Sequence, residues 1–336
     1  MTASDVVIVG GGISGIAAAV ELANAGVACT LFDRGRRLGG RLAVRTLRDT
    51  NTKWDGHPVD VGAAFFTVRE PLFAAQVDDW EKRGLAFPWT DTLGVAGPEG
   101  LTHFTSGVMR WSAPAGLRSL VDDLAAAIPS VDIRSDRAVE SVSVSNEGVH
   151  VDELSANLAL LCGPDPQMAR ILAQQSELDE VRATLASVAW EPVLALTAVY
   201  EKRSWPEISG VFVNDSDELG FIADDGSRRG DMAPVLVAHS SSAFAVRHLD
   251  DPQAAAPAMM AAMHRILGVT AEPVQVHVQR WSLARPATGR VEPHLLDPST
   301  GIGCAGDAWH GGPRIEAAWL SGHSLGQSAV SQLTSG

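Results

Sequence analysis

The stretch VVIVGGGISGIAAAVELANAGVACTLFD, residues 6–33, decides the fold of this chain. It opens with a run of β-branched residues, Val6–Val9, of the kind that forms buried parallel strands. Three consecutive glycines follow, and the alanine-rich residues 16–25 then predict a helix that Gly26 ends. Residues 27–32 predict a second buried strand, with Asp33 at its end. Strand, glycine turn, helix and strand in this order predict an α/β unit built on a parallel sheet.

The glycines of this unit have the spacing G-x-G-x-x-G, at Gly10, Gly12 and Gly15. Gly10 permits the tight turn, Gly12 lets the backbone approach a pyrophosphate, and Gly15 lets helix and strand pack closely. The helix then begins near Ile13 and Ser14, where free N–H groups and the positive end of the helix dipole favour phosphate. Asp33 is placed to accept hydrogen bonds from a ribose. These features predict a dinucleotide site, with a turn that serves only helix packing as the alternative.

The residues after Asp33 indicate which dinucleotide this is. In DRGRRLGGRLAVR, residues 33–45, a second glycine pair at Gly39 and Gly40 precedes Arg41. A nicotinamide-only Rossmann domain needs no such pair. An FAD enzyme does, because its isoalloxazine end must pass the backbone while an arginine neutralises phosphate. We therefore predict FAD, with Arg34 beside it, whereas residues 36 and 37 are expected to lie in a solvated loop.

The segment VDVGAAFFTVREPLF, residues 59–73, continues the predicted site. Gly62 and Ala63 are small where a backbone must pass close to a flat ring. Phe65 and Phe66 either line an apolar substrate cavity or belong to the core.

Composition limits the possible functions. Of the 336 residues 46% are hydrophobic and 20% charged, which predicts a folded globular protein. The formal net charge of −14, without a basic run, argues against a general nucleic-acid binder. The apolar N-terminal stretch has no basic flank and is interrupted by glycines and Glu21, so no membrane segment is predicted. Three cysteines without metal-ligand spacing predict no metal site and favour reduced thiols in a cytoplasm.

The rest of the chain predicts the remaining elements of the fold. Helices are expected at residues 112–128, 241–249 and 252–267, and strands at residues 131–144, 149–151, 157–162, 192–200, 209–214, 219–223, 234–239 and 274–280. DDGSRRGDM, residues 224–232, is expected to be an exposed loop. The fold class is therefore α/β, a Rossmann-like FAD-binding domain with an inserted α+β substrate domain. The predicted FAD-binding domain comprises residues 1–67, 112–165 and 286–336, and the substrate domain comprises residues 68–111 and 166–285.

The chain resembles renalase-type FAD oxidoreductases of the flavin amine oxidase superfamily, especially their bacterial members. The resemblance runs along nearly the whole chain through GGGISG, GGRLAVR, RWSAPAGLRSL, WEPVLALTAVY, RWSLARP and GDAWHGGPRIEAAWLSG. It implies noncovalent FAD and oxidation of dihydronicotinamide nucleotides reduced at the wrong ring carbon, giving NAD(P)⁺ while O₂ becomes hydrogen peroxide. Two departures from the family pattern occur: Ala64 and Phe65 replace a glutamine–tyrosine pair, and Pro313 precedes the arginine of the last motif.

The resemblance also implies further site residues. Val139 would pack on the adenine side, and Gly306 and Asp307 would hold the ribityl chain, with Asp307 as acceptor for a ribityl hydroxyl. A helix that begins near Arg314 and Ile315 would face the flavin edge that becomes anionic on reduction, which its dipole favours by ~0.3–2 kcal/mol. Because dihydronicotinamide gives up hydride directly to flavin N5, no catalytic side chain is required.

The residues predicted to position the substrate are Phe65, Phe66, His239, Trp281 and Arg285, with a core or interdomain role as the alternative for each. Monoamine oxidation is the rival function. The superfamily's amine oxidases usually place a lysine near the flavin and an aromatic pair around the amine, but this chain has three lysines and a single tyrosine, Tyr200. A two-tyrosine cage is therefore impossible, although tryptophan or phenylalanine could replace it. A flavin desaturase, a protoporphyrinogen-type oxidase and a non-catalytic FAD-binding protein are further alternatives.

Overall fold

The computed structural model describes residues 4–335, and along them the chain forms nineteen strands and nine α-helices. The strands are β1 (Val6–Val9), β2 (Cys29–Phe32), β3 (Val44–Thr46), β4 (Pro58–Asp60), β5 (Phe66–Thr67), β6 (Phe87–Gly97), β7 (Gly100–Ser112), β8 (Asp132–Arg134), β9 (Val142–Ser145), β10 (Gly148–Val151), β11 (Leu154–Ala156), β12 (Leu158–Leu161), β13 (Trp190–Val199), β14 (Gly210–Val213), β15 (Leu219–Asp224), β16 (Val235–Ser240), β17 (Gln275–Pro286), β18 (Leu295–Asp297) and β19 (Ile302–Cys304). The helices are α1 (Ile13–Asn24), α2 (Pro71–Lys82), α3 (Arg118–Ala126), α4 (Asp165–Ile171), α5 (Asp179–Ala186), α6 (Asp225–Arg229), α7 (Ser242–Arg247), α8 (Ala256–Leu267) and α9 (Ile315–Ser335).

A six-stranded sheet in the order β18-β19-β12-β1-β2-β8 carries the predicted nucleotide unit. All its neighbouring strands run parallel except β18, which is antiparallel to β19. The residues of β1 are apolar throughout because both faces of the strand are buried. Val6 and Ile8 enter the core beneath α1, α3 and α9, whereas Val7 and Val9 enter a second core with the β9-β10-β11 sheet. Both faces are covered, as the unbroken valine run predicts.

An eight-stranded sheet in the order β17-β13-β16-β15-β14-β6-β7-β5 forms the second half of the fold. Its pairings are antiparallel apart from β14 with β6. Alternate residues of β16 again divide between two cores: Leu236 and Ala238 pack with the residues of α8, while Val235 and Val237 pack with Val59 and neighbouring residues. The α/β fold class is confirmed, and the predicted domain boundaries remain a prediction.

The stretch at residues 224–232 corrects the sequence prediction. It is not an exposed loop: Asp224 caps the short helix α6 by accepting from the Ser227 N–H, and Asp225, Arg228 and Arg229 are buried. A run of charges usually indicates solvent exposure, but here Asp225 pairs with Arg228 and Arg229 inside the protein.

Other elements differ from prediction mainly in their bounds. The helix expected from residue 112 begins at residue 118, because residues 100–112 continue the long strand β7. The strands expected within residues 131–144 are β8 and β9, which lie in different sheets. Strand β17 continues to Pro286, so the RWSLARP motif lies within it. No helix between residues 4 and 335 combines the length and apolar character needed to cross a bilayer.

Candidate active site

The glycine turn after β1 forms an open cradle at the start of α1. Gly10 has φ of 112°, and a Cβ atom at Gly15 would lie 1.9 Å from the Gly10 carbonyl oxygen, so both positions require glycine. Gly12 differs from them: a Cβ atom there would meet nothing within 4 Å. The space in front of Gly12 is where the sequence predicts a pyrophosphate.

The first turn of α1 has the donors that a diphosphate needs. No side chain caps the helix at Gly12, so its first N–H groups stay available. The hydroxyl of Ser14 is buried and, among residues 4–335, makes no hydrogen bond. Uncapped N–H groups at the start of a helix fit the phosphates of FAD.

Asp33 is anchored at the end of β2. Its two carboxylate oxygens accept from the N–H groups of Gly11 and Gly35, each at 2.6 Å. Burial raises the pKa of the Asp33 carboxyl, and these two main-chain donors act against that shift. Each oxygen keeps a second lone pair, so the fixed carboxylate can still accept from a ribose hydroxyl.

The glycine pair at residues 39 and 40 faces the glycine turn that follows β1. The Gly39 N–H donates to the Gly11 carbonyl at 2.8 Å, and a Cβ atom at Gly40 would lie 3.8 Å from the Gly12 Cα. Arg41 then crosses to the end of β19 and binds Asp307 through two parallel hydrogen bonds of 2.7 and 2.6 Å. Two motifs that lie far apart in sequence therefore meet at one place. The Arg41 guanidinium also lies over the Trp190 ring, 5.0 Å from its centroid, a contact that the sequence did not indicate.

The start of α9 contains a residue missing from the predicted site. Glu316, in its first turn, is fully buried, and its Oε1 accepts from the N–H groups of Arg69 and Glu70 at 2.6 and 2.8 Å. It thus ties the chain before α2 to the end of the predicted flavin site formed by Arg314 and Ile315. The sequence could have indicated this residue, because acidic side chains are favoured in the first turn of a helix. Further along α9, Gly322 packs directly on α1, where a Cβ atom would lie 1.9 Å from the Ser14 carbonyl oxygen.

Residues 61–64, which we call the inter-sheet segment, connect the nucleotide unit to the eight-stranded sheet. The indole N–H of Trp281 donates to the Val61 carbonyl at 2.6 Å, and Arg228 donates to the Ala64 carbonyl at 2.7 Å. From the other side, the Ala63 N–H donates to the Arg41 carbonyl at 2.9 Å. The indole N–H of Trp281, a residue predicted to contact substrate, thus binds main chain.

His239 lies behind the same segment. Burial, together with the nearby cations Arg228 and Arg285, lowers the pKa of His239 to about 4, while a contact with the Gly62 main chain acts in the opposite direction. The imidazole is accordingly neutral near pH 7. A neutral imidazole is a poor proton donor, so His239 is not expected to act as an acid near pH 7.

A buried ion cluster adjoins the inter-sheet segment through Arg228. Arg229 bridges Asp60 at 2.8 Å and Asp225 at 2.9 Å, and Arg228 also pairs with Asp225. Burial alone raises the pKa of the Asp225 carboxyl, but Arg229 and Arg228 outweigh it and hold the pKa below its ordinary range. Asp60 also accepts from the Leu117 N–H at 2.9 Å, so the cluster fixes β4, α6 and the approach to α3 together.

Four aromatic side chains gather where the inter-sheet segment ends. We call Phe65, Trp89, Phe212 and Phe221 the aromatic cluster. The Phe65 centroid lies 6.2 Å from that of Trp89 and 5.8 Å from that of Phe221, and Phe212 lies 5.3 Å from Phe221. The neighbouring Phe66 points elsewhere, into the core with Phe73 and Trp111.

The other residues predicted for the site are Arg285, Val139 and Arg34. Arg285 forms an exposed ion pair with Glu191 at 2.7 Å. Val139 packs against the second core of the six-stranded sheet, and Arg34 is exposed near Asp33. The structure thus brings together the glycine turns, Arg41, Asp307 and the inter-sheet segment, while Phe66 lies apart from the aromatic cluster.

Comparison with known proteins identifies the relationships of this architecture. Residues 82–325 match the family of flavin containing amine oxidoreductases, and residues 8–78 match an NAD(P)-binding Rossmann-like domain. Among curated proteins, (S)-6-hydroxynicotine oxidase of Paenarthrobacter nicotinovorans is 40% identical over 75 residues. That match covers 22% of this chain and 17% of the relative.

Solved structures match over almost the whole chain. Cyclohexylamine oxidase from Brevibacterium oxydans IH-35A superposes with a TM-score of 0.75 at 14% identity, covering 99% of this chain and 100% of that one. A protein from Exiguobacterium sp. 255-15 assigned as a protoporphyrinogen oxidase gives a TM-score of 0.75 at 18% identity, with 99% and 100% coverage. These likenesses show that the fold is shared.

Proposed function

The chain belongs to the flavin-containing amine oxidoreductase family, and we propose that it oxidises isomeric dihydronicotinamide nucleotides as a renalase-type member. The substrate would be the 2- or 6-dihydro form of NAD or NADP. With O₂ and one proton it would give NAD(P)⁺ and hydrogen peroxide. The protein is an FAD-dependent oxidoreductase, and we propose that FAD is held noncovalently.

The fit between FAD and this chain rests on the two glycine turns. The N–H groups at the start of α1 and the hydroxyl of Ser14 would hold the diphosphate, and Asp33 would hold the ribose. The Arg41–Asp307 pair and the inter-sheet segment would flank the isoalloxazine end. Bound there, the cofactor supplies two-electron redox chemistry and is reoxidised by O₂.

The aromatic cluster is the observation that carries this proposal. Its ring faces, beginning at Phe65 directly after the inter-sheet segment, offer an apolar surface for a flat substrate ring. Holding two flat rings in contact and excluding water lowers a hydride-transfer barrier without any proton-removing group. The neutral His239 behind the segment agrees with such a site.

The positions of tyrosine and lysine argue in the same direction. Tyr200 is buried in the core under α8, where its hydroxyl lies 2.8 Å from His264 Nε2. Lys53, Lys82 and Lys202 are all exposed. The aromatic pair and the lysine that amine oxidases usually place at the flavin have no counterpart in these residues.

Monoamine oxidation is the second candidate. The local identity to an oxidase whose name gives 6-hydroxynicotine as its substrate favours it, and so does the likeness to cyclohexylamine oxidase. Phe65 and Trp89 could form an aromatic pair around an amine.

Anaerobic mixing separates the two functions. Purified holoenzyme is mixed with 2-dihydro-NAD, 6-dihydro-NAD, ordinary NADH and a panel of monoamines, and loss of oxidised-flavin absorbance is followed. We expect fast bleaching by a 2- or 6-dihydro isomer and slow bleaching by NADH. Fast bleaching by amines alone would overturn the proposal.

The compartment is also a proposal. Cys29, Cys162 and Cys304 are buried free thiols, which supports a reducing cytoplasm.

A further inference from the structure

We propose that Arg110 binds a phosphate group of the substrate and so selects a phosphorylated dihydronicotinamide over a neutral one. This inference rests on the proposed function and names the residue that would make the site specific. Arg110 lies near the end of β7, where its main chain pairs with Thr67 of β5.

Arg110 touches the aromatic cluster directly. Its guanidinium carbon lies 5.7 Å from the Phe65 centroid and 5.9 Å from the Phe212 centroid. At these distances the cation is attracted to the ring faces. The cation therefore borders the surface on which the flat substrate ring is proposed to lie.

The charge of Arg110 is not neutralised by the protein. Three arginines are buried in the part of the chain that the structure describes: Arg110, Arg228 and Arg229. The last two pair with the carboxylates of Asp60 and Asp225. Arg110 forms no ion pair with any described residue, and its Nη1 donates only to the carbonyls of Asp91 and Val108, at 2.8 and 3.2 Å.

Burying the Arg110 cation destabilises the folded protein unless an anion pairs with it. Arg110 is 8% exposed, and a buried charge without a partner destabilises a fold. Burial lowers the pKa of the Arg110 guanidinium, and the Asp91 carboxylate acts against that shift without forming an ion pair with it. Nη2 donates to nothing within residues 4–335 and is not among the atoms sealed from solvent, so it is free to meet a ligand.

A phosphate suits these donors better than an amine does. Guanidinium groups bind phosphate oxygens through charge-assisted hydrogen bonds, whereas a protonated amine would be repelled. The proposed substrate contains both required parts, a flat ring for the aromatic cluster and phosphate for Arg110. Amine substrates contain no such anion.

The test compares substrates with and without phosphate. Holoenzyme is reduced anaerobically by 6-dihydronicotinamide riboside, which has no phosphate, and by the corresponding mononucleotide and dinucleotide. In R110M we expect the concentration for half-maximal reduction to rise about 10- to 100-fold for the two phosphorylated substrates and to stay near wild type for the riboside. R110K should recover part of the loss. R280M is the control, since Arg280 is exposed and also donates to a main-chain carbonyl, that of Leu249.

An equal loss with all three substrates would overturn the proposal, because it would show that Arg110 only supports the fold. If wild type is reduced by none of them, the proposed function fails, and binding of inorganic pyrophosphate to the holoenzyme decides the role of Arg110 separately. A flavin spectral shift on pyrophosphate binding that is lost in R110M supports the anion site. No shift in wild type, or an undiminished shift in R110M, overturns it.

Discussion

At the residue scale, the glycines around the cofactor site serve different purposes that sequence spacing alone does not separate. Gly10 needs its positive φ, and Gly15 has no room for a side chain. Gly12 has ordinary extended backbone angles, φ −76° and ψ 179°, and open space before it. A Cβ atom there meets no protein atom within 4 Å, so we propose that the requirement for glycine comes from the cofactor.

We therefore expect Gly12→Val to fold and to lose FAD. The new side chain meets no protein atom, so the free energy of unfolding of the apoprotein should change by less than about 0.5–1 kcal/mol. The valine would instead fill the space for the diphosphate, and the ratio of flavin to protein absorbance in the purified protein should fall to near zero. The matched control is Gly97→Val, another open glycine without a positive φ, at the end of β6. Full flavin occupancy in Gly12→Val would remove Gly12 from the cofactor site.

The pKa of His239 predicts a pH dependence of stability. Its folded-state pKa of about 4 lies below the ordinary 6.5, so above pH 6.5 the ring is neutral in both states. As the pH falls from 6.5 towards 4, only the unfolded chain takes up the proton, and stability decreases. Between pH 7.5 and 5 we expect wild type to lose about 2 kcal/mol more than His239→Gln.

Urea unfolding with excess FAD at the two pH values measures this difference. His103→Gln, at an exposed histidine, should keep the wild-type pH dependence. Identical pH dependence in His239→Gln and wild type would show that the ring is protonated equally in both states.

Individual contacts across the chain were the part of the site that sequence could not predict. The glycine spacing and Asp33 could be predicted because local motifs encode them, and Asp307 because the chain resembles a known family. Trp281 and His239 were predicted to contact substrate, and the sequence could not show that the Trp281 N–H binds the Val61 carbonyl. The pairing of Arg41 with Asp307 depends on the closure of the whole sheet.

At the element scale, helix α6 shows why charge-rich stretches mislead. DDGSRRGDM has turn-forming residues and little apolar content, the usual pattern of a solvated loop. Its charges are balanced within the helix and by Asp60 from β4, a residue remote in sequence. The strands and long helices were predictable because apolar periodicity is a local property. This helix was not, because its burial depends on distant partners.

Breaking this cluster should destabilise the protein strongly. Arg229→Met leaves Asp60 and Asp225 with one cation fewer in a buried setting, and we expect the free energy of unfolding to fall by about 3–5 kcal/mol. Arg247→Met is the control, since it removes an exposed pair with Asp217 and should cost at most about 1 kcal/mol. Urea unfolding of both variants measures the contrast. Equal losses would mean that burial adds nothing to the value of the cluster.

At the scale of the whole molecule, the inter-sheet segment lets two separately packed sheets act on one site. The six-stranded sheet carries the glycine turns, and the eight-stranded sheet contributes Trp281 and the aromatic cluster. Val61 lies between the two sheets, and its carbonyl accepts a hydrogen bond from Trp281 of the eight-stranded sheet. The position of the segment against the cofactor should therefore depend on residues that touch neither cofactor nor substrate.

Trp281→Phe tests this dependence. It removes the N–H that satisfies the Val61 carbonyl, which should cost about 1–3 kcal/mol of stability. Because the segment loses one of its fixing bonds, we expect flavin reduction under saturating substrate to slow several-fold while FAD content stays unchanged. The matched control is Trp80→Phe, which removes a partly buried indole hydrogen bond, to Asp123 at 3.1 Å, between α2 and α3 and away from the segment. Stopped-flow reduction and urea unfolding of both variants separate the effects. Equal slowing in both would show that reduction follows overall stability, and a wild-type rate in Trp281→Phe would show that the segment does not position the reacting groups.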